Sequence, residues 1–168
     1  MSSIKFKQIM QQVLKYAPTQ LTNAAYARIK EFKGIRKDAD GRFYAYAKTY
    51  STKIYDKRLH TWVAKRSPTY YDTFIMVRHY KRSKGYQRQA TIVLSCSCPD
   101  FKYRHEVALY MKGGSQITYS NGRRPKITNP RLRRTCCKHC LRFYQFLSKE
   151  YPSIFQPDAE LRARIGDV

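Results

Sequence analysis

The spacing of apolar and polar positions predicts helices in the first part of the chain. In residues 4–18, IKFKQIMQQVLKYAP, apolar side chains recur at helical spacing, and a proline stands where the helix should already have ended. Residues 22–34, TNAAYARIKEFKG, predict a second helix, with Thr22 or Asn23 as its N-cap and Gly34 as its stop. Residues 1–40 are therefore predicted to form an N-terminal helical segment.

From Gly41 onward the pattern changes to one typical of strands. Segments rich in β-branched and aromatic residues are separated by turn-prone or charged stretches. They are RFYAYAKTYS (42–51), RLHTWVAKR (58–66), DTFIMVRHYK (72–81) and QATIVLSCSC (89–98). The linker KRSKGY, with Gly85, predicts a hairpin turn between the last two. We therefore predict a small antiparallel sheet.

The pattern after this sheet predicts a strand and helix module with an insert. Residues 99–114, PDFKYRHEVALYMKGG, predict a helix that begins near a proline and ends at glycines. Residues 117–127 carry Asn121-Gly122, a pair that predicts an inserted hairpin. Residues 138–151 predict a last helix, closed by Pro152. The predicted fold class is α+β, with residues 41–152 as the sheet-bearing body and 153–168 as a C-terminal tail.

The length and charge of the chain indicate a single domain with an anionic or acidic partner. A chain of 168 residues suits a single domain, and it contains neither an apolar run long enough to span a membrane nor a secretory signal pattern. We expect a reducing cytosol as its place of synthesis. The chain has 34 Lys and Arg against 11 Asp and Glu, a formal charge of +23. A charge of this size implies an anionic or acidic partner.

The basic residues are concentrated in the second half of the chain. No Asp or Glu occurs between Val107 and Lys149. Six cations of this stretch are the candidate contacts to nucleic acid or to an acidic partner: Arg123, Arg124, Lys126, Arg131, Arg133 and Arg134. The 15 tyrosines suit stacking on bases, a protein interface or a core equally well.

The five cysteines fall into two tight groups, which predicts a metal site. Cys96 and Cys98 are two residues apart, and Cys137 and His139 repeat that spacing. Three thiolates and one imidazole satisfy the tetrahedral preference of one structural Zn²⁺ and leave no open position for a substrate. Buried thiols and disulfides are the weaker alternatives, the latter because of the odd cysteine count and the reducing compartment.

Two further cysteines compete with this assignment. Cys136 could replace Cys137 after a small shift of register, but the second pair would then have a different spacing. Cys140 falls on the same helical face as Phe143 and Leu147, so it is predicted to be a small core residue.

The cysteine groups also carry a family resemblance. CSCPDF, followed by CKH and an apolar helix, resembles the SWIM-type zinc finger, whose pattern is Cys-x-Cys, an insert, then Cys-x-His. The resemblance covers about residues 86–150 and implies Cys96, Cys98, Cys137 and His139 as ligands. The insert Pro99–Cys136 is longer than is common in that family. The longer pattern consists of SCSCPDFKYR, a helix, and then YSNG, TNPRL and CKHC. It is similar to small SWIM-like proteins of tailed bacteriophages, which implies a component of a viral particle.

Enzyme motifs are missing from the chain. The glycines of YMKGGSQ lack the spacing of a phosphate-binding loop, and carboxylates are too few for paired acid and base catalysis. We therefore expect no enzyme activity, no small-molecule substrate and no membrane. The sequence favours a structural or adaptor protein of a virion, made in the host cytoplasm and contacting acidic subunits or packaged DNA. The alternative is a free nucleic-acid-binding zinc-finger protein in the cytoplasm or nucleoid.

Overall fold

The fold is taken from a computed structural model that describes residues 5–80 and 89–155. The predicted turn at Gly85 and the chain beyond residue 155 lie outside these ranges. The helices are α1 (Phe6–Tyr16), α2 (Thr19–Ala24), α3 (Glu106–Tyr110) and α4 (Lys138–Glu150), with a π-helical turn at Phe101–His105 and a 3-10 turn at Pro152–Ile154. The strands are β1 (Ala27–Lys37), β2 (Phe43–Ser51), β3 (Lys53–Asp56), β4 (Thr61–Ala64), β5 (Tyr70–Tyr80) and β6 (Gln89–Cys96).

An antiparallel sheet with strand order β1-β2-β5-β6 carries the core, and the α+β class is as predicted. Helix α4 lies against all four strands and buries Phe143 and Leu147 completely. Alternate residues of β5 and β6, such as Ile75 and Leu94, are fully buried on the same side. No helix in the described part of the chain has the length and apolar character needed to cross a bilayer.

The predicted helix at residues 22–34 is wrong from Ala27 onward, where the chain forms edge strand β1. Ile29, Phe32 and Ile35 pack against the core at steps of three residues, which imitates helical spacing. Their partners on β2 are only two residues apart, because extra residues enter β1 between Ile29 and Glu31 and again between Phe32 and Ile35. These are β-bulges, and Gly34, with φ +90, supplies the left-handed backbone within the second.

The predicted strand at 58–66 is shorter and belongs to a different sheet. Residues Thr61–Ala64 form β4, which pairs only with β3 in a separate two-stranded hairpin. This hairpin, Lys53–Ala64, projects beside the main sheet.

The predicted hairpin of the insert is not formed. Residues 111–137 are all described and contain no strand. The backbone N–H groups of Thr118, Tyr119 and Ser120 instead donate to the carboxylate of Glu106, at 3.1, 3.0 and 2.6 Å. Asn121 and Gly122 do form a turn, with φ +74 at the glycine, but the amides that a ladder would use are already satisfied by Glu106.

Candidate metal centre

The cysteine and histidine side chains predicted from the sequence meet between the end of β6 and the start of α4. One ligand atom from each of Cys96, Cys98, Cys137 and His139 lies within 4.8 Å of the other three, and all four residues are buried. Sulfur ligands of a tetrahedral ion with bonds of about 2.3 Å lie about 3.8 Å apart. The cluster is therefore compact enough to hold one metal ion.

The imidazole of His139 is oriented for coordination. Its Nε2 lies 2.9 Å from the Oγ of Ser51, whereas its Nδ1 is buried and has no hydrogen-bond partner. The ring also packs against Tyr71, with centroids 4.9 Å apart. An unpaired buried nitrogen is costly unless it binds something. Nδ1 is thus the nitrogen free to bind a metal, and in that tautomer Nε2 would carry the proton donated to Ser51.

The backbone on either side of the site positions the thiols. Cys96 is the last residue of β6, and Cys98 accepts a hydrogen bond on its sulfur from the N–H of Phe101 at 3.3 Å. Cys137 is the N-cap of α4 with an extended backbone, φ −75 and ψ 162. His139 follows in the first turn of that helix. A strand end and a helix start therefore supply two ligands each.

The electrostatics of the thiols favour a bound cation. Burial raises the pKa of the Cys137 thiol well above its usual range, and the pKa of Cys98 is also raised. Burial opposes ionisation at Cys96 too, but hydrogen bonds from the neighbouring thiols of Cys137 and Cys140 outweigh it and hold its pKa well below the usual range. A cation bound by the cluster would favour ionisation of these buried thiols.

The two remaining cysteines are outside the group of four side chains that can hold a metal, although Cys140 lies next to Cys96. Cys136 and Cys140 are both fully buried within the hydrophobic core. The Cys140 thiol donates to the carbonyl of Ser95 at 3.8 Å. The cluster that can hold a metal thus contains Cys137 rather than Cys136.

A buried polar network fixes the loop that follows Cys98. The Thr135 hydroxyl and Nδ1 of His105 share a hydrogen bond of 2.9 Å, and Nε2 of that ring faces Asp100 at 3.4 Å. Gln20 of α2 donates to the same carboxylate at 2.8 Å. Burial would raise the pKa of Asp100, but His105 and the nearby Arg104 hold it below its usual value. The network ties α2 and the end of the insert to the metal cluster.

The six predicted contact residues are only partly brought together. Arg131 and Arg133 line one pocket of about 370 Å³, together with Arg104 and Tyr16. The Arg133 guanidinium lies over the Tyr16 ring, 3.7 Å from its centroid. Arg123, Arg124 and Lys126 are exposed elsewhere on the insert, and Arg134 is half-buried. Within residues 5–80 and 89–155, none of the six predicted cations forms an ion pair with Asp or Glu.

The sequence analysis did not identify Ser51 or Glu106. Ser51 orients the imidazole of His139, and Glu106 fixes the backbone of the insert. Neither residue belongs to a local motif, because each acts on a segment distant in sequence. The separation between Ser51 and His139 is 88 residues. No short-range signal could have identified this pair.

Replacing Ser51 with alanine should weaken metal binding about 10- to 100-fold, because the imidazole would lose the partner that fixes its orientation and tautomer. Competition with a chromophoric chelator measures the affinity. Ser148→Ala is the matched control, since the Ser148 hydroxyl is buried on α4 without a hydrogen-bond partner. Equal affinities of the two variants would contradict the role assigned to Ser51.

The cluster has three sulfur donors and one nitrogen donor, in the chain order Cys-x-Cys and then Cys-x-His, and this donor set is compatible with zinc. Four protein donors leave no open coordination position. Comparisons with protein-family models, with curated proteins and with solved structures find no match to the chain.

Proposed function

We propose that this chain is a zinc-stabilised basic structural or adaptor protein that binds nucleic acid through phosphate contacts and catalyses no reaction. The observation that carries the proposal is that Arg131 and Arg133 line one pocket together with Arg104, which also pairs with Asp100 at 3.2 Å. The formal charge of +23 gives the whole chain a strong attraction to a polyanion.

The metal in this proposal is a single structural Zn²⁺. It joins the end of β6 to the start of α4 and thereby closes the long insert Pro99–Cys136, which contains all three arginines of the pocket. Zinc suits three thiolates and one imidazole in tetrahedral geometry. The ligand order supports a SWIM-type zinc finger with an enlarged insert.

The insert presents its arginines in a fixed geometry. Asn129 donates to the carbonyls of Arg104 and Arg133 at 3.0 and 2.9 Å, and accepts from the N–H of Arg133 at 2.9 Å. Stacking on Tyr16 holds the Arg133 side chain in place while leaving its N–H groups at the edge of the guanidinium. A planar fork of this kind is well suited to a phosphate group.

The similarity to small phage proteins supports a setting in a viral particle, with packaged DNA as the polyanion. A second candidate partner is an acidic neighbouring subunit. Ile127 favours it, because this apolar side chain is 92% exposed within the basic insert. A protein neighbour would bury Ile127, whereas phosphate contacts would not require it.

Binding of duplex DNA across a salt series tests the proposal. We expect the logarithm of the affinity to fall linearly with the logarithm of the salt concentration. The double variant Arg131→Gln, Arg133→Gln should reduce the slope by about 2, since each lost phosphate contact removes about one counterion.

A matched control removes the same charge elsewhere, with Arg36→Gln and Lys112→Gln, both at exposed positions outside the pocket. This control should change the slope less than the pocket variant does. Failure of the zinc-loaded protein to bind DNA at low salt would contradict the proposal. Binding to an acidic protein that is lost on Ile127→Asp would then favour the second candidate.

A further inference from the structure

A second basic surface adjoins the metal cluster, since Cys98 and His139 are among its lining residues. A cleft of about 280 Å³ separates the β3-β4 hairpin from the loop after β6 and from the start of α4. Its walls combine aromatic rings with ammonium groups: Tyr55, Trp62, Tyr71, Lys53, Lys65 and Lys138. We call this surface the lysine-aromatic cleft. It shares no lining residue with the arginine pocket.

The pairing of the hairpin sets the aromatic rings side by side. Tyr55 on β3 is opposite Trp62 on β4, and their ring centroids are 5.6 Å apart. Tyr26 lies on the other side of Trp62, at 5.4 Å. Tyr55 is 44% exposed, so one face of the group is open to a ligand. Exposed rings held by their neighbours provide a stacking surface with little freedom to lose on binding.

The positive charges of the lysines around these rings favour an anionic ligand. The ammonium group of Lys138 is 5.6 Å from the Trp62 ring centroid, and that of Lys53 is 4.7 Å from the Tyr26 centroid. Lys65 also lines the cleft, and its ammonium group donates a hydrogen bond to the hydroxyl of Thr69 at 2.7 Å. Three lysines thus surround a small cleft lined by aromatic rings.

Nearby carboxylates do little to neutralise these lysines. Among the described residues that line the cleft, Asp100 is the only acid, and it is engaged by Arg104, His105 and Gln20. Asp56, at the end of β3, accepts hydrogen bonds from the backbone N–H groups of Arg58 and Leu59. The cleft therefore keeps a net positive charge.

We infer that the lysine-aromatic cleft binds single-stranded nucleic acid, with an unpaired base stacked on the exposed ring of Tyr55 next to Trp62, whose plane is at 65° to it, and the flanking phosphates held by Lys53, Lys65 and Lys138. The inference deepens the proposed function and rests on it. Exposed rings interleaved with cations are the combination that binds single strands without sequence preference. A duplex hides its base faces, and an acidic peptide has no flat face to match the rings.

The chain contains one tryptophan, so its fluorescence reports directly on the cleft. The probe is an unlabelled thymidine octanucleotide added to the full, zinc-loaded chain at low salt. We expect saturable quenching of Trp62, because a base stacked on Tyr55 would lie next to the indole, whose centroid is 5.6 Å from that of Tyr55. A hairpin duplex and polyglutamate of matched charge should quench it far less.

A pair of tyrosine variants locates the binding surface. Tyr55→Ala should weaken binding of the octanucleotide about tenfold, the loss typical of one stacking contact. Tyr46→Ala is the matched control, since Tyr46 is 43% exposed and lies 4.9 Å from another ring, Phe74, on the open face of the main sheet. This control should change the affinity less than twofold.

Three outcomes would overturn the inference. They are octanucleotide binding without quenching of Trp62, a larger loss with Tyr46→Ala than with Tyr55→Ala, and quenching by polyglutamate equal to that by the octanucleotide. Duplex binding without binding of the octanucleotide would refute the inference alone. Binding of neither nucleic acid would refute the proposed function as well.

Discussion

Cys137→Ser is expected to abolish stoichiometric metal binding and to lower the melting temperature by about 10 °C or more. The serine hydroxyl is a poor replacement for a thiolate, and the remaining ligands would hold the ion weakly. A metal held by the cluster would join the end of β6 to the start of α4, and α4 packs against all four strands of the main sheet. Loss of that link should cost at least about 3 kcal/mol of the free energy of unfolding.

Cys136→Ser provides the matched control, because it removes the neighbouring thiol, which is also fully buried but lies outside the cluster. This variant should keep one metal ion per chain and lose less stability. Metal content by mass spectrometry and melting by circular dichroism measure both effects. If Cys136→Ser lost the metal while Cys137→Ser retained it, the ligand assignment would be wrong.

Glu106→Ala should lower the free energy of unfolding by about 3 kcal/mol. Its carboxylate is fully buried and accepts hydrogen bonds from three consecutive backbone N–H groups, those of Thr118, Tyr119 and Ser120. Hydrogen bonds to a charged group are stronger than neutral ones, and their removal leaves donors unsatisfied. The first part of the insert would therefore lose its fixed conformation.

Urea denaturation measures the loss for Glu106→Ala, and hydrogen exchange of the amides of residues 118–120 measures its location. These amides should exchange faster in the variant even under conditions where α4 remains protected. Glu31→Ala, at an exposed position of β1, is the control and should change stability by less than about 0.5 kcal/mol. Unchanged exchange of the three amides would contradict the role of Glu106.

The spacing of apolar residues predicted the correct secondary structure for some segments. It predicted the wrong one where pairing with a segment distant in sequence determined the structure. Helices α1 and α4 follow their apolar spacing. Strand β1 does not, because its two bulges place Ile29, Phe32 and Ile35 on the core side at the spacing of a helix. Only the pairing with β2 distinguishes a helix from a bulged strand here, and the spacing of apolar residues gives no information about that pairing.

The metal cluster and the insert also differ in how far local sequence predicted them. Cys96, Cys98, Cys137 and His139 were identified because metal ligands require particular residue types at short spacings. The Asn121-Gly122 pair predicted a hairpin, and this prediction was wrong, because Glu106, more than ten residues earlier, binds the amides of the segment before the pair.

The central claim is that one zinc ion is held by three cysteines and one histidine. X-ray absorption at the zinc edge of the purified protein, combined with metal content, tests it most directly. The result expected is one zinc per chain with three sulfur ligands at about 2.3 Å and one nitrogen ligand at about 2.0 Å. A shell of four sulfurs, with Cys140 in place of His139, or a protein that binds no zinc, would contradict the claim.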